Sequence, residues 1–249
     1  MKRYTHIGGN QDTQNFGGYS ASECVHEHFI LKIPDGIPLD KAGPILCAGI
    51  TLYDPLVHWG ATTGKKMTIG IVGIGGLGTM GIKLAKALGH KVYAISTSAS
   101  KAAMAKEKGA DEFVVSTDPE SMKQHANTCD LILNTVSANH QMAHYLGLLR
   151  TDGTLVQLGL VTNDHAVNQM ALLPTRKSIS ASMIGGIKCT QDLLELCAKA
   201  QILPDVHMIE AKEIDWAWEQ LGTVNKDGLR YVIDIKKSLE NKEFMPPVE

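Results

Sequence analysis

The chain has 249 residues, with 24 Lys and Arg against 26 Asp and Glu and 44% hydrophobic residues. That content fills a sizeable core, and cations scattered among nearly as many acids, with no basic run or aromatic platform, exclude a nucleic-acid partner. No apolar segment approaches the ~20 residues of a membrane span, the Met1 to His6 start lacks a signal peptide's apolar stretch, and five cysteines without a C-x-x-C spacing read as reduced thiols, so a cytoplasmic protein with no membrane partner is expected.

In chain order, Tyr4 to Ser20 is polar and glycine-rich without periodicity. Cys24 to Ile33 alternates as a strand does and stops at Pro34-Asp-Gly-Ile-Pro38, after which helical spacing runs from Leu39 to His58. From about 68 to 184, apolar runs alternate with helical patterns, which predicts a parallel sheet with helices on both faces. Strands are predicted at 68–73, 91–96, 112–115, 130–136, 154–159 and 178–184. Helices or partial helices are predicted at 119–126, 139–150 and 167–173, with Asp152-Gly153 and Pro174 as punctuation. Amphipathic helices at 190–201 and 213–221 and a strand at 230–235 follow, and the 243–249 tail is expected to fray. The expected fold class is α/β, a six-stranded doubly wound parallel sheet.

The most informative stretch is Thr68-Ile-Gly-Ile-Val-Gly73-Ile-Gly75-Gly76-Leu77-Gly78, which joins an apolar strand to a helix through G-x-G-G-x-G. Gly73 permits a tight turn, Gly75 and Gly76 let backbone N–H groups approach a pyrophosphate, and Gly78 lets the helix pack closely on the strand. The phosphates then meet unpaired N–H groups and the positive end of the helix dipole. Leu77, Met80, Leu84 and Leu88 continue at helical spacing and Gly89 stops the helix, which is the context a dinucleotide site demands.

An NAD-specific site places Asp or Glu about 20 residues beyond the motif, on the ribose 2′-OH. Here the second strand ends in Ser96-Thr97-Ser98-Ala-Ser-Lys101. Hydroxyl donors and one cation suit a 2′-phosphate, so NADP is the expected cofactor. The plain alternative is that Ser98 or Ser100 only caps the following helix.

The chain resembles the zinc-type medium-chain alcohol dehydrogenases, in particular the cinnamyl alcohol dehydrogenase group. The resemblance rests on Gly17-Gly-Tyr-Ser20, Val25-His-Glu-His-Phe29, Leu46-Cys-Ala-Gly-Ile-Thr-Leu-Tyr-Asp-Pro-Leu56, the glycine motif, Gly109-Ala-Asp-Glu-Phe-Val114 and Gly185-Gly-Ile-Lys-Cys-Thr-Gln191. One departure is Lys108, where relatives often carry Leu. The resemblance implies a Rossmann domain over 49–188, a remnant of a GroES-like catalytic domain with its connecting helix over 1–48, and a return to that domain over 189–249. It implies that Thr51 contacts the nicotinamide end of the cofactor and that Thr135 and Val136 lie beside the ring. Gly159, with Leu158 and Leu160, would line the nicotinamide ribose, Ser182, Met183 and Ile184 would form the strand whose backbone holds the carboxamide, and Arg230 matches an arginine near the family's chain end. For the apolar members, ordinary sheet core is the plain alternative. Subunits in the family join edge to edge near 178–184, which implies a homodimer.

Cys47 matches the cysteine that gives the last ligand of the family's catalytic zinc. The family's other zinc ligands and its proton-relay Ser or Thr and His lie in an upstream region that this sequence does not match, so no catalytic residue is assigned. Zinc is expected only where further ligands are supplied, since a catalytic site needs three protein ligands and Cys47 offers one. His26 and His28 form an H-x-H read as surface polar groups on a strand, and Cys47 by itself is equally a plain buried thiol. Two functions follow: an NADP-dependent alcohol dehydrogenase acting on a primary alcohol or aldehyde, or a non-catalytic NADP(H)-binding fragment. A methyltransferase with a similar sheet has no evident use for the Ser96 to Lys101 segment.

Overall fold

The computed structural model describes residues 18–20, 25–162, 164, 166–224 and 228–240. The expectations for 4–17, for Cys24 and for the 243–249 tail lie outside the described residues.

Six strands form between residues 68 and 181: β1 Thr68–Val72, β2 Lys91–Ser96, β3 Glu112–Val115, β4 Cys129–Asn134, β5 Leu149–Gln157 and β6 Ser178–Ala181. All neighbours pair in parallel, in the order β3-β2-β1-β4-β5-β6. The strand order reverses between β1 and β4, which opens a crevice beyond their carboxyl ends. Val72 pairs with both Ile95 and Asn134, so three strands finish level at that crevice.

The two-residue period of a strand sends Ile69, Ile71, Leu131 and Leu133 into one core and Val72, Ile95 and Ile132 into the other. A strand covered on both faces reads as a continuous apolar run, which is why the sheet was visible as such. On one face, α1 Leu39–Pro44, a π turn at Ile45–Gly49 and α2 Ile50–His58 form one unbroken helical run. Ile45, Ile50, Leu52 and Leu56 of that run pack with Ile82 and Leu84 of α3 Gly76–Ala87. On the other face, Tyr145, Leu146 and Leu148 seal the sheet from a 3₁₀ segment, Met142–Leu148. Each such fully buried Leu or Ile contributes about 1.5–3 kcal/mol. Two short helices complete the alternation, α4 Ala102–Glu107 and α5 Pro119–Gln124, the latter with the Asp118 carboxylate accepting from Glu120 N–H at 3.0 Å.

Beyond the sheet come α6 Ile187–Ala200, β7 Val206–Ile209, α7 Ile214–Val224, β8 Arg230–Ile233 and α8 Ile235–Glu240. Strands β7 and β8 pair in parallel. They are tied to the Rossmann core where Lys83 Nζ of α3 reaches Leu203 O at 2.8 Å and Asp205 Oδ2 at 3.0 Å. Arg230 N–H in turn donates to Asp205 O at 3.1 Å, which fixes the start of β8. No helix among the described residues is long and apolar enough to cross a membrane.

Three expectations are corrected. The alternation over 25–33 is not a strand: Glu27–Phe29 is a 3₁₀ turn, closed where His26 Nδ1 accepts from His28 N–H at 3.1 Å, and Val25 to Ile30 stay exposed because no sheet pairs with them. Residues 167–173 give only the 3₁₀ turns Gln169–Ala171 and Leu173–Thr175. Strands β1, β4, β5, β6 and β8 stop short of the predicted ends, at Val72, Asn134, Gln157, Ala181 and Ile233.

Candidate functional site at the sheet's carboxyl edge

The turn from β1 into α3 carries the glycine motif. Gly73 sits at φ +87°, a left-handed conformation that favours glycine, and a Cβ there would lie 2.8 Å from Thr135 Oγ1. A Cβ on Gly78 would fall 1.9 Å from Gly73 O, so only glycine lets α3 sit this close to its strand. Gly75 precedes α3 with no side-chain cap. Open space lies where its Cβ would project. Leu77 packs half-buried against the core, and the first-turn N–H groups of α3, like those of any helix, have no intrahelical partners.

Arg230 closes one wall of this turn. Its Nε would lie 2.6 Å from a Cβ on Gly76, and its Nε and Nη2 are buried with no hydrogen-bond partner among the described residues. A guanidinium is always charged, and each of its N–H groups buried without a partner costs on the order of 1–3 kcal/mol. An anion at the N-terminus of α3 would remove that cost and use the free N–H groups at once, so the residues present fit the pyrophosphate of a dinucleotide.

At the end of β2, Ser96 is buried and its Oγ accepts from Ser98 N–H at 3.3 Å. Ser98 Oγ pairs with Ser100 Oγ at 2.7 Å rather than capping the following turn with its side chain. Thr97 exposes its side chain and its carbonyl accepts from Thr117 Oγ1 at 3.2 Å. Lys101 Nζ donates to Ile74 O at 2.8 Å, which brings a cation from the β2 end onto the glycine turn. Two of its three N–H donors remain for a ligand. No Asp or Glu occupies this stretch.

The far half of the crevice is built by β4, β5 and β6. Thr135 Oγ1 lies 2.8 Å from Val72 O and 3.0 Å from Gly73 O, which locks the glycine turn to β4. Val136 follows, half-buried against the second core. The buried Asn134 side chain is satisfied by Gln157 Oε1 and His140 Nε2, each at 2.7 Å. Gln157 Nε2 donates in turn to Gly159 O at 2.8 Å, and Gly159 N–H donates to Asn134 O at 3.1 Å. Sequence reading missed this Asn134, Gln157 and His140 network; a polar residue closing the apolar run Leu-Ile-Leu-Asn134 was the available signal.

Ser182, Met183 and Ile184 were expected in the strand; β6 ends at Ala181 instead, and the three lie in the turn that follows it. Met183 and Ile184 are exposed, and Ile184 adopts φ +52°, a strained conformation for a β-branched residue. Thr51 in α2 donates its hydroxyl to Cys47 O at 2.8 Å. Cys47 is exposed on the π turn, not buried. Burial pushes the thiols of Cys129 and Cys197 up to about 12 and that of Cys189 to about 11. No group of three His, Cys, Asp or Glu that could hold a metal exists among the described residues, so they do not fit a zinc site.

Residues 76–199 match the sequence signature of the zinc-binding dehydrogenases. The chain is 44% identical over 222 residues to NADP-dependent alcohol dehydrogenase C 1 of Mycolicibacterium smegmatis, covering 89% of this chain and 63% of that protein. It is 41% identical over 242 residues to a probable mannitol dehydrogenase 1 of Stylosanthes humilis, covering 97% of this chain and 68% of that one. The solved cinnamyl alcohol dehydrogenase of Sorghum bicolor superposes with a TM-score of 0.81 at 34% identity, over 86% of this chain and 60% of its own. The chain thus spans about two thirds of the length of the relatives it matches. Glycine turn, strand order and relatives agree: the chain belongs to the zinc-type alcohol dehydrogenase family and corresponds to the C-terminal portion of its relatives.

Proposed function

We propose that the chain binds NADP(H) along the sheet's carboxyl edge and serves an NADP-dependent alcohol dehydrogenase, with a primary alcohol or aldehyde as substrate. The observation that carries this reading is Arg230, whose Nε lies against the glycine turn at Gly76 and whose Nε and Nη2 are buried without a partner among the described residues. In this reading Gly73, Gly75, Gly76, Leu77, Gly78 and Arg230 hold the pyrophosphate. Ser96, Thr97, Ser98 and Lys101 hold the 2′-phosphate, and Thr51, Thr135, Val136, Gly159, Ser182, Met183 and Ile184 surround the nicotinamide end. The name of the Mycolicibacterium smegmatis relative supports NADP over NAD, as does the absent acid after β2. When bound, the cofactor gives or takes hydride at its nicotinamide C4. The chain's own residues anchor its phosphates and hold its ring end against β4, β5 and the turn after β6.

Cys47 stands without companion ligands among the described residues, so in this reading they hold no zinc. That ligand count favours a second reading, a fragment that binds NADP(H) without turnover. The domain division at 1–48, 49–188 and 189–249 belongs to this proposal. So does a homodimer across β6, which lies at the sheet's edge and is open to a second strand. A cytoplasmic location is supported by the free thiols at Cys47, Cys129, Cys189 and Cys197.

Fluorescence titration tests the reading. Arg230→Ala removes a charge-assisted pair of about 1.5–3 kcal/mol, so NADPH and NADH are both weakened at least about tenfold. Unchanged affinity for NADPH contradicts it.

A further inference from the structure

Ile184 holds a left-handed backbone that a β-branched side chain adopts only where its surroundings over-determine it. The surroundings converge on one carboxylate. Before Ile184, Ser182 N–H donates to Gln157 O at 3.2 Å and Ser182 Oγ donates to Asp54 Oδ2 at 3.3 Å. After it, Gly185 is packed so tightly on α2 that a Cβ there would lie 2.8 Å from Asp54 Oδ1 and 2.7 Å from Ile50 Cδ1. Burial first, and then the Asp54 charge, raise the Cys189 thiol in the first turn of α6 to about 11, which places that thiol near the same carboxylate. Asp54 therefore grips the chain on both sides of the strained residue, from a helix whose Leu52 and Leu56 are fully buried and whose position is fixed.

We propose that Asp54 is a positioning residue that holds the Ser182 to Gly185 turn, with Met183 and Ile184 exposed on it, in the shape that receives the nicotinamide end of the dinucleotide. The proposal rests on the NADP(H) reading of the site. It predicts a role confined to one half of the ligand, since Lys101 and Ser96 lie at the end of β2, on the other side of β1 from this turn. A residue that merely stabilised the fold would affect both halves alike.

The test compares NADPH with adenosine 2′,5′-bisphosphate, which carries the 2′-phosphate but no nicotinamide, by calorimetric titration of the 249-residue chain. Asp54→Ala is expected to weaken NADPH about tenfold and to leave the bisphosphate within about twofold. Asp54→Asn, whose amide oxygen still accepts from Ser182, restores most of the NADPH affinity. If Asp54→Ala does not fold, Ser182→Ala reads the same turn and is expected to lose NADPH selectively. Equal weakening of both ligands, or undiminished NADPH binding, overturns the proposal. Wild-type chain that binds neither ligand overturns the NADP(H) reading itself, and this outcome shows before any variant is made.

Discussion

Replacing Lys101 by Ala separates the two nicotinamide cofactors. In the structure Lys101 Nζ spends one donor on Ile74 O at 2.8 Å and keeps two for a ligand. Losing the bond to Ile74 O loosens the glycine turn by about 0.5–1.5 kcal/mol, and this loss is common to NADPH and NADH. Losing the charge-assisted contact to the 2′-phosphate costs a further 1.5–3 kcal/mol or so, and NADPH alone feels it. At ~1.4 kcal/mol per decade, the preference for NADPH over NADH falls about 10- to 150-fold. Parallel fluorescence titrations of wild type, Lys101→Ala and Lys101→Arg read the ratio, with Arg keeping most of the preference. Equal losses for the two cofactors would refute the assignment of the β2 end to a 2′-phosphate.

Gly78→Ala places a methyl group 1.9 Å from Gly73 O. Relieving that overlap by moving α3 costs about 1–3 kcal/mol or more, visible as a lower melting temperature together with lost NADPH binding. Cys47, exposed beside three thiols that burial raises to about 11 or 12, is expected to be the one of these four that alkylates quickly at pH 8, by peptide mapping. Metal analysis of the same preparation is expected to find no zinc that depends on it, and a stoichiometric zinc lost in Cys47→Ser would contradict the ligand count. Hydrogen bonds from Lys237 and Lys212 hold the Glu210 carboxyl at about 2, against an ordinary 4.5. A carboxyl depressed in the folded state binds its proton later than in the unfolded one. Its contribution is therefore complete above about pH 4.5 and is lost as the pH falls through about 2. The difference in melting temperature between wild type and Glu210→Gln should shrink across that window, and a constant difference would contradict the pairing.

The sheet was legible because both of its faces are covered: T-I-G-I-V and L-I-L-N carry their burial in composition alone. The glycine turn was legible because each glycine answers a local demand, as the contacts of Gly73 and Gly78 bear out. Strand ends were not. Gly73, Thr135, Val136, Gly159 and Ser182 to Ile184 follow directly on the apolar runs but lie past the last paired residue, where the chain leaves the ladder and local hydrogen bonds such as that of Thr135 Oγ1 to Val72 O decide its path. Strand β7 was missed because Val-His-Met-Ile exposes His207 and Met208 and owes its strand state to pairing with β8. The false strand at 25–33 is the converse, an alternation with nothing to pair against. Asp54 was invisible for another reason: its partner Ser182 lies more than a hundred residues away, and only the packing of the turn after β6 on α2 unites them.

The most direct measurement is the structure of the 249-residue chain crystallised with NADPH. The pyrophosphate is predicted to lie at the N-terminus of α3, hydrogen-bonded to Arg230 Nε and Nη2, with the 2′-phosphate at Ser96 to Lys101. Electron density for NADPH anywhere else, or a crevice with Arg230 still unpaired at saturating NADPH, would contradict the account.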